Sequence, residues 1–260
     1  MPLHDIYARR TPFELAVPDR TAIPELIEKV VEEARAGGAD PSHMHAFVTM
    51  GSVTSFVNAL QGDDAPSEAI HQYGALLYHA VHFEEDGHPL FLVDTHACRY
   101  LVEGAPDGSP TPPTESGYLQ FPQHLFWIGS EGDATPESID GLFWTVSASG
   151  LLHSLLVTGV RPDRAGFGTV PIPEAPLSEA PQWVDAQARP EGDDFASAMP
   201  GADVEGLYSV ETAGEVLKLL SRFFAYVSNV PEAVRLLDPS DPEDASVPPS
   251  DLPYRRVGLA

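Results

Sequence analysis

The sequence predicts one α+β domain, in which N-terminal helices and a C-terminal helix pack on an antiparallel β-meander of about five strands. Residues 1–103 are mainly helical in pattern, residues 117–172 are short β-branched and aromatic runs separated by turn residues, and residues 212–229 again have a broad apolar helix face. Because none of these parts can bury its apolar face alone, we expect a single core for residues 1–260.

The helical part opens with TAIPELIEKVVEEARAGG, in which apolar residues recur three and four positions apart between a capping threonine and two glycines. A second helix is predicted from His43 to Leu60 and a third from Ser67 to Phe83. HPLFLVD then predicts a short strand, THACRYLVEG predicts a short helix, and Asp94 between them is expected to have a turn or N-cap role. In that helix the lone Cys98 is expected to be a small buried hydrophobe.

Five apolar runs predict the meander after the Pro-rich loop at residues 104–116: YLQFP, HLFWIGS, LFWTVSAS, LLHSLLVTG and GFGTVPIP. Residues 173–206 are predicted to be a long, acidic, Pro-rich loop. Thr212 and Glu215 match a capping box, which predicts that the C-terminal helix begins there. Residues 238–260 form an acidic tail that we expect to be only partly ordered.

The charge is the one extreme feature of the composition. Thirty-nine acidic residues oppose 14 basic ones, for a net charge of -25, which argues against direct binding of nucleic acid. Such an excess is also typical of proteins that stay soluble in concentrated salt, so we hypothesise a halophilic source. This hypothesis is wrong if the melting temperature does not rise with KCl concentration. A single cysteine, no signal-peptide pattern and no apolar run of membrane-spanning length lead us to expect a cytoplasmic protein.

Histidines cluster on the third predicted helix, in HQYGALLYHAVHF. At ~100° per residue, His71, Tyr78, His79 and His82 gather on one side. They lie opposite the expected core residues Tyr73, Leu76, Leu77, Ala80 and Val81. We therefore expect a polar contact face that points away from the core.

That helix face is not predicted to hold a metal ion. His79 and His82 are three residues apart and can share one ion, but His71 is too far along the helix to join them. No metalloprotease, phosphate-loop, dinucleotide-binding or nucleophile-elbow motif occurs in the sequence. We expect no metal and no cofactor.

These observations favour a non-catalytic protein that takes part in protein–protein interaction, or a structural or assembly subunit, including one that associates with itself. The alternative is an enzyme or a small-ligand or metal-binding protein that uses His79, His82 and His96. A second alternative is an acidic inhibitor of the DNA-mimic type, whose carboxylates imitate a phosphate array.

Overall fold

A computed structural model of the chain describes residues 24, 27–29, 32, 36–38, 48–61, 67–103, 110–121, 126–128, 137–159, 167–177, 207–237 and 252–260. In these residues helices cover both faces of one mixed β-sheet, which confirms the α+β class. The helices are α1 (Met50–Gln61), α2 (Ser67–Glu85), α3 (Thr95–Glu103) and α4 (Leu207–Asn229). None of the helices described here is long and apolar enough to cross a membrane.

The sheet has eight strands in the described part of the chain. Seven lie in the order β6-β5-β4-β2-β1-β8-β7, and β3 pairs with β4 beside this path. The strands are β1 (Leu90–Val93), β2 (Ser116–Gln120), β3 (Phe126–Ile128), β4 (Glu137–Val146), β5 (Leu151–Thr158), β6 (Gly168–Pro176), β7 (Val234–Leu237) and β8 (Tyr254–Val257).

The predicted antiparallel meander of five strands is wrong as a description of this sheet. All five apolar runs do form strands, β2 to β6, and these pair in antiparallel fashion. However, β1 lies between β2 and β8 and is parallel to both. The chain returns from β1 to β2 through α3, a crossover of the kind that parallel neighbours require. The sheet is therefore mixed.

The tail at residues 238–260 contributes one strand that the sequence pattern did not predict. Residues Tyr254–Val257 form β8, which pairs with β1 on one side and with β7 on the other. Its Tyr254 and Val257 are buried. Four residues are too few for a strand period to stand out, so the sequence pattern did not reveal this strand. Residues 238–251 lie outside the described part of the chain.

Two apolar cores lie on opposite faces of the sheet. One joins α3 and α4 to side chains such as Phe91 and Trp144, which are packed against Phe223. The other joins α1 and α2 to side chains such as Tyr118 and Phe143. Successive strand residues alternate between the two cores because side chains point to opposite faces of a sheet.

Two helix starts differ from prediction. The α1 helix begins at Met50, and the predicted residues 43–47 lie outside the described residues. Thr49 and Ser52 bond to each other's backbone N–H at 3.1 and 3.0 Å, a reciprocal cap that fixes this start. The α4 helix begins at Leu207, so Thr212 lies inside it and does not cap it.

The remaining predictions for helices and loops have mixed outcomes. The described residues of the first predicted helix, 24, 27–29, 32 and 36, are helical. The third helix, the HPLFLVD strand and the following short helix are confirmed. The predicted loop at 173–206 begins as strand, since β6 continues to Pro176, and residues 178–206 are not among those described.

Candidate functional site

The histidine-bearing side of α2 faces the protein interior. Tyr78, His79 and His82 are at most 1% exposed, whereas His71 is exposed. The expectation that this face points away from the core is therefore wrong for three of its four residues. The physical reason is that α2 lies between α1 and the sheet, so its second half is covered on both sides. Tyr73, assigned to the core side by the same pattern, is instead 49% exposed.

His79 is held against the sheet by one hydrogen bond and one ring contact. Its Nδ1 lies 2.9 Å from Thr145 Oγ1 on β4, and its ring is stacked on Phe143 with 5.9 Å between centroids. Burial holds the pKa of His79 well below its usual value, and the neighbouring His153 and His82 lower this pKa further. The imidazole is therefore neutral at pH 7, and either Nδ1 or the hydroxyl can be the donor.

His82 ties α2 to the segment that precedes α1. Its Nε2 lies 2.8 Å from the backbone oxygen of Val48, which is next to the cap of α1. Because a carbonyl oxygen only accepts, Nε2 carries the proton and donates. This bond is entirely buried, so it fixes the position of the α1 start on α2.

Tyr78 lies at the centre of the histidines. Its ring makes edge contacts with His79, His82 and His153, at centroid distances of 5.2, 4.7 and 5.4 Å. Burial raises the pKa of Tyr78 far above its usual value, and the negative charge of Glu174 raises it further. Tyr78 therefore remains an uncharged phenol, and we call these four residues the histidine–tyrosine cluster.

His153 is the member of this cluster that the sequence did not predict. It lies on β5, and its Nδ1 is 3.3 Å from Glu174 Oε2 on β6. Burial lowers the pKa of His153, while Glu174 raises it by a smaller amount. The His153 side chain is 13% exposed and Glu174 is 57% exposed, so this pair is the point at which the cluster meets solvent.

The cluster is an interior group of rings in edge contact with one another. His79 and His82 each have a ring nitrogen in a buried hydrogen bond. In the described residues no group of three or more histidine, cysteine, aspartate or glutamate side chains is placed to hold a metal ion. His96 is exposed on α3, on the opposite face of the sheet, so His79, His82 and His96 do not form one site.

A second candidate site lies at the β7 edge of the sheet. The large hydrophobic side chains that are exposed among the described residues are Tyr73, Tyr100, Leu236 and Leu259. Leu236, on β7, is 66% exposed and Leu259, just after β8, is 54% exposed.

Contacts of Tyr226 connect Tyr100 to the backbone around Leu259. The Tyr100 ring lies 5.9 Å from that of Tyr226. The Tyr226 hydroxyl donates to the backbone oxygen of Gly258 and accepts from the N–H of Ala260, at 3.1 and 3.3 Å, on either side of Leu259. We call Tyr100, Tyr226, Leu236 and Leu259 the edge patch.

Three arginines accompany the edge patch. Arg235 lies on β7, directly opposite Arg256 of β8 in the strand register. Arg255 is opposite Leu236, and its guanidinium lies 5.3 Å from the centroid of the Phe91 ring. Burial lowers the pKa of Arg255 from its usual high value. Three arginines thus lie on β7 and β8, in a chain whose net charge is -25.

Neither a protein-family model nor a curated protein matches this chain. Among solved structures, the chain is similar to one described as the crystal structure of AcrVA2, with a TM-score of 0.39 and 15% identity. The match covers 94% of this chain and 81% of the other. At that TM-score the likeness carries no inference about fold or function.

Proposed function

We propose that this chain is a non-catalytic protein that acts by binding another protein through the β7 edge of its sheet. The observation that carries the proposal is the exposure of Leu236 on β7 and of Leu259 just after the neighbouring β8, with Tyr100 linked to the Leu259 segment through Tyr226. Large exposed apolar residues that form a contiguous group mark interaction sites more often than scattered ones do.

The residue types at the edge support the same proposal. Tyrosine and arginine are enriched at protein–protein interfaces, and they supply much of the binding energy there. Here Tyr100 and Tyr226 accompany Arg235, Arg255 and Arg256. By contrast, the histidine–tyrosine cluster is enclosed between α2 and the sheet, where two of its imidazoles each make a buried hydrogen bond.

A partner other than a second copy fits the charges better. Two copies repel one another through their net charges of -25 each, and they repel again where one basic edge meets another. Self-association is therefore the weaker form of this proposal, although the same experiment detects it.

Site-specific cross-linking tests the proposal. A photo-reactive phenylalanine derivative replaces Leu236 in one variant and Tyr73 in a matched control, since Tyr73 is also a large exposed hydrophobic residue but lies on α2. After irradiation in cells that produce the protein naturally, the position-236 variant should give one discrete product with a second protein, identified by mass spectrometry.

Three outcomes separate the possibilities. A product from position 236 and none from position 73 supports binding at the edge. A product that contains two copies of this chain assigns the edge to self-association. No product from position 236, or the same products from both positions, overturns the proposal.

The enzyme or ligand-binding alternative has weaker support, because its histidines are enclosed and His96 lies on the other face of the sheet. Metal analysis of the purified protein tests it directly. A stoichiometric metal that is lost in His82→Ala would favour this alternative over the protein-binding proposal.

A further inference from the structure

The backbone hydrogen bonds of β8 determine which groups of β7 point outward. The N–H of Asp94 donates to the oxygen of Val257 at 3.0 Å, so Val257 turns its backbone groups toward β1. Successive residues of a strand turn these groups to opposite sides. Arg256 therefore bonds toward β7, which agrees with the 3.0 Å bond from the N–H of Gly258 to the oxygen of Ala233.

This alternation leaves the backbone of Leu236 pointing away from the sheet. Arg235 is opposite Arg256 and is the hydrogen-bonded pair, so the N–H and C=O of the next residue, Leu236, turn to the other side. On that side of β7 the described part of the chain places no strand. The Leu236 side chain is exposed as well, so both its backbone and its side chain are open to a partner.

The side chains beside Leu236 define the chemistry that fits this edge. On one face of the sheet Arg235 is exposed, and a carboxylate on an adjacent strand can pair with it. On the other face the edge patch presents Leu236. A strand laid along β7 alternates its side chains between these two faces, so it would need acidic and apolar residues in turn.

We infer that β7 accepts, by strand addition, an extended segment of the partner protein in which acidic and apolar residues alternate; this inference rests on the proposed function. Main-chain hydrogen bonds to Leu236 supply affinity in this mode of recognition, and the alternating side chains supply specificity. Short edge strands with charged side chains resist indiscriminate pairing, so a segment without acidic residues would be rejected.

Peptide binding to the full-length protein tests the inference. The probe is a fluorescein-labelled eight-residue peptide of alternating glutamate and valine, and its matched control alternates lysine and valine. Fluorescence anisotropy at low salt should show saturable binding of the acidic peptide and at least tenfold weaker binding of the basic one.

Two variants separate backbone pairing from side-chain contact. Leu236→Pro removes the outward N–H, and proline is tolerated on edge strands, so binding should weaken by about tenfold or more. Leu236→Ala keeps that N–H and should weaken binding by a smaller factor. Arg235→Glu should also weaken binding about tenfold and should improve binding of the lysine–valine peptide.

The outcomes also distinguish this inference from the proposed function. Absence of acidic-peptide binding overturns strand addition. Equal binding by Leu236→Pro and Leu236→Ala overturns it as well. If cross-linking from position 236 succeeds in either case, the proposed function stands and only the mode of recognition is wrong. If Leu236→Pro fails to fold, the Arg235→Glu comparison still decides.

Discussion

His79 on α2 and Thr145 on β4 form a buried hydrogen bond, with 2.9 Å between the imidazole Nδ1 and the hydroxyl Oγ1. Both side chains are at most 1% exposed. The bond joins a helix to the middle of the sheet across 66 residues of sequence, and no water can replace either partner without a cavity.

Replacement of Thr145 should therefore be costly. Thr145→Val keeps the shape but leaves His79 Nδ1 without the hydroxyl, so the free energy of unfolding should fall by about 1–3 kcal/mol. Thr145→Ser retains the hydroxyl and should lose less. Urea denaturation of the two variants checks this, and equal stability of the two would show that the bond contributes nothing.

The buried imidazole also predicts a pH dependence of stability. The pKa of His79 is lowered in the folded state, so below about pH 6.5 the unfolded chain takes up a proton that the folded chain does not. Its contribution is fully present above this pH and is lost as the pH falls, by up to about 2 kcal/mol at pH 5.

Comparison of variants separates the pH dependence of stability that is due to His79 from that due to the many carboxylates. His79→Asn places an amide near the Nδ1 position and does not titrate, so its unfolding free energy should fall less steeply between about pH 7.5 and pH 5 than that of the wild type. His71→Asn, at the exposed histidine of the same helix, is the control. A wild-type slope in His79→Asn would contradict the prediction.

Gly117 leaves room for the indole of Trp144. A Cβ atom at Gly117 would overlap the Trp144 ring, which is fully buried and donates through Nε1 to the backbone oxygen of Thr114 at 3.2 Å. Gly117→Ala should lower the free energy of unfolding by about 1–3 kcal/mol, because a packed core resists added volume. Gly51→Ala, on exposed helix surface with its nearest neighbour 3.9 Å away, should not be destabilising. Thermal melts of both variants make the comparison, and a shared melting temperature would refute it.

Asp94 caps α3 as the sequence predicts. Its Oδ1 accepts the backbone N–H of Ala97 at 2.8 Å. Asp94→Ala should reduce the free energy of unfolding by about 1 kcal/mol, whereas Asp94→Asn keeps an acceptor and should lose less. Chemical denaturation measures the difference. Identical midpoints for the two variants would show that the Asp94 side-chain cap does not stabilise the protein.

Cys98 is predicted to be unreactive while the protein is folded. The thiol is buried in α3, and burial, with a smaller effect of Asp94, raises its pKa to about 12. A thiol reagent such as Ellman's reagent at about pH 8 should modify almost none of the native protein and one thiol per chain in denaturant. Rapid modification of the native protein would show that α3 opens readily.

Local patterns predicted those elements in which one short stretch contains the whole signal. Asp94 precedes a run of helix-forming residues, so its capping role follows from sequence position alone. The five strand runs each contain enough β-branched and aromatic residues to be recognised. The pairing of β1 with β8 could not be predicted in this way, because it joins Phe91 to Arg255, which lie far apart in the chain.

For the candidate sites too, the sequence predicted only what lies within one element and not the contacts between distant elements. The sequence placed His79 and His82 on one side of α2 but gave no information on what covers that side, and it offered no reason to add His153 from β5. The edge patch depends wholly on sheet order, since the exposure of Leu236 follows from β7 being the last strand.

By itself the sequence determined the acidic charge, the α+β class, most helices and strands, and the periodicity that puts three histidines on one helix face. Tertiary structure alone decided that His79 and His82 on this face are buried, that the sheet is mixed, and that β7 is its last strand in the described residues. The physical reason is that periodicity is a property of neighbouring residues, whereas burial depends on which distant elements pack against them.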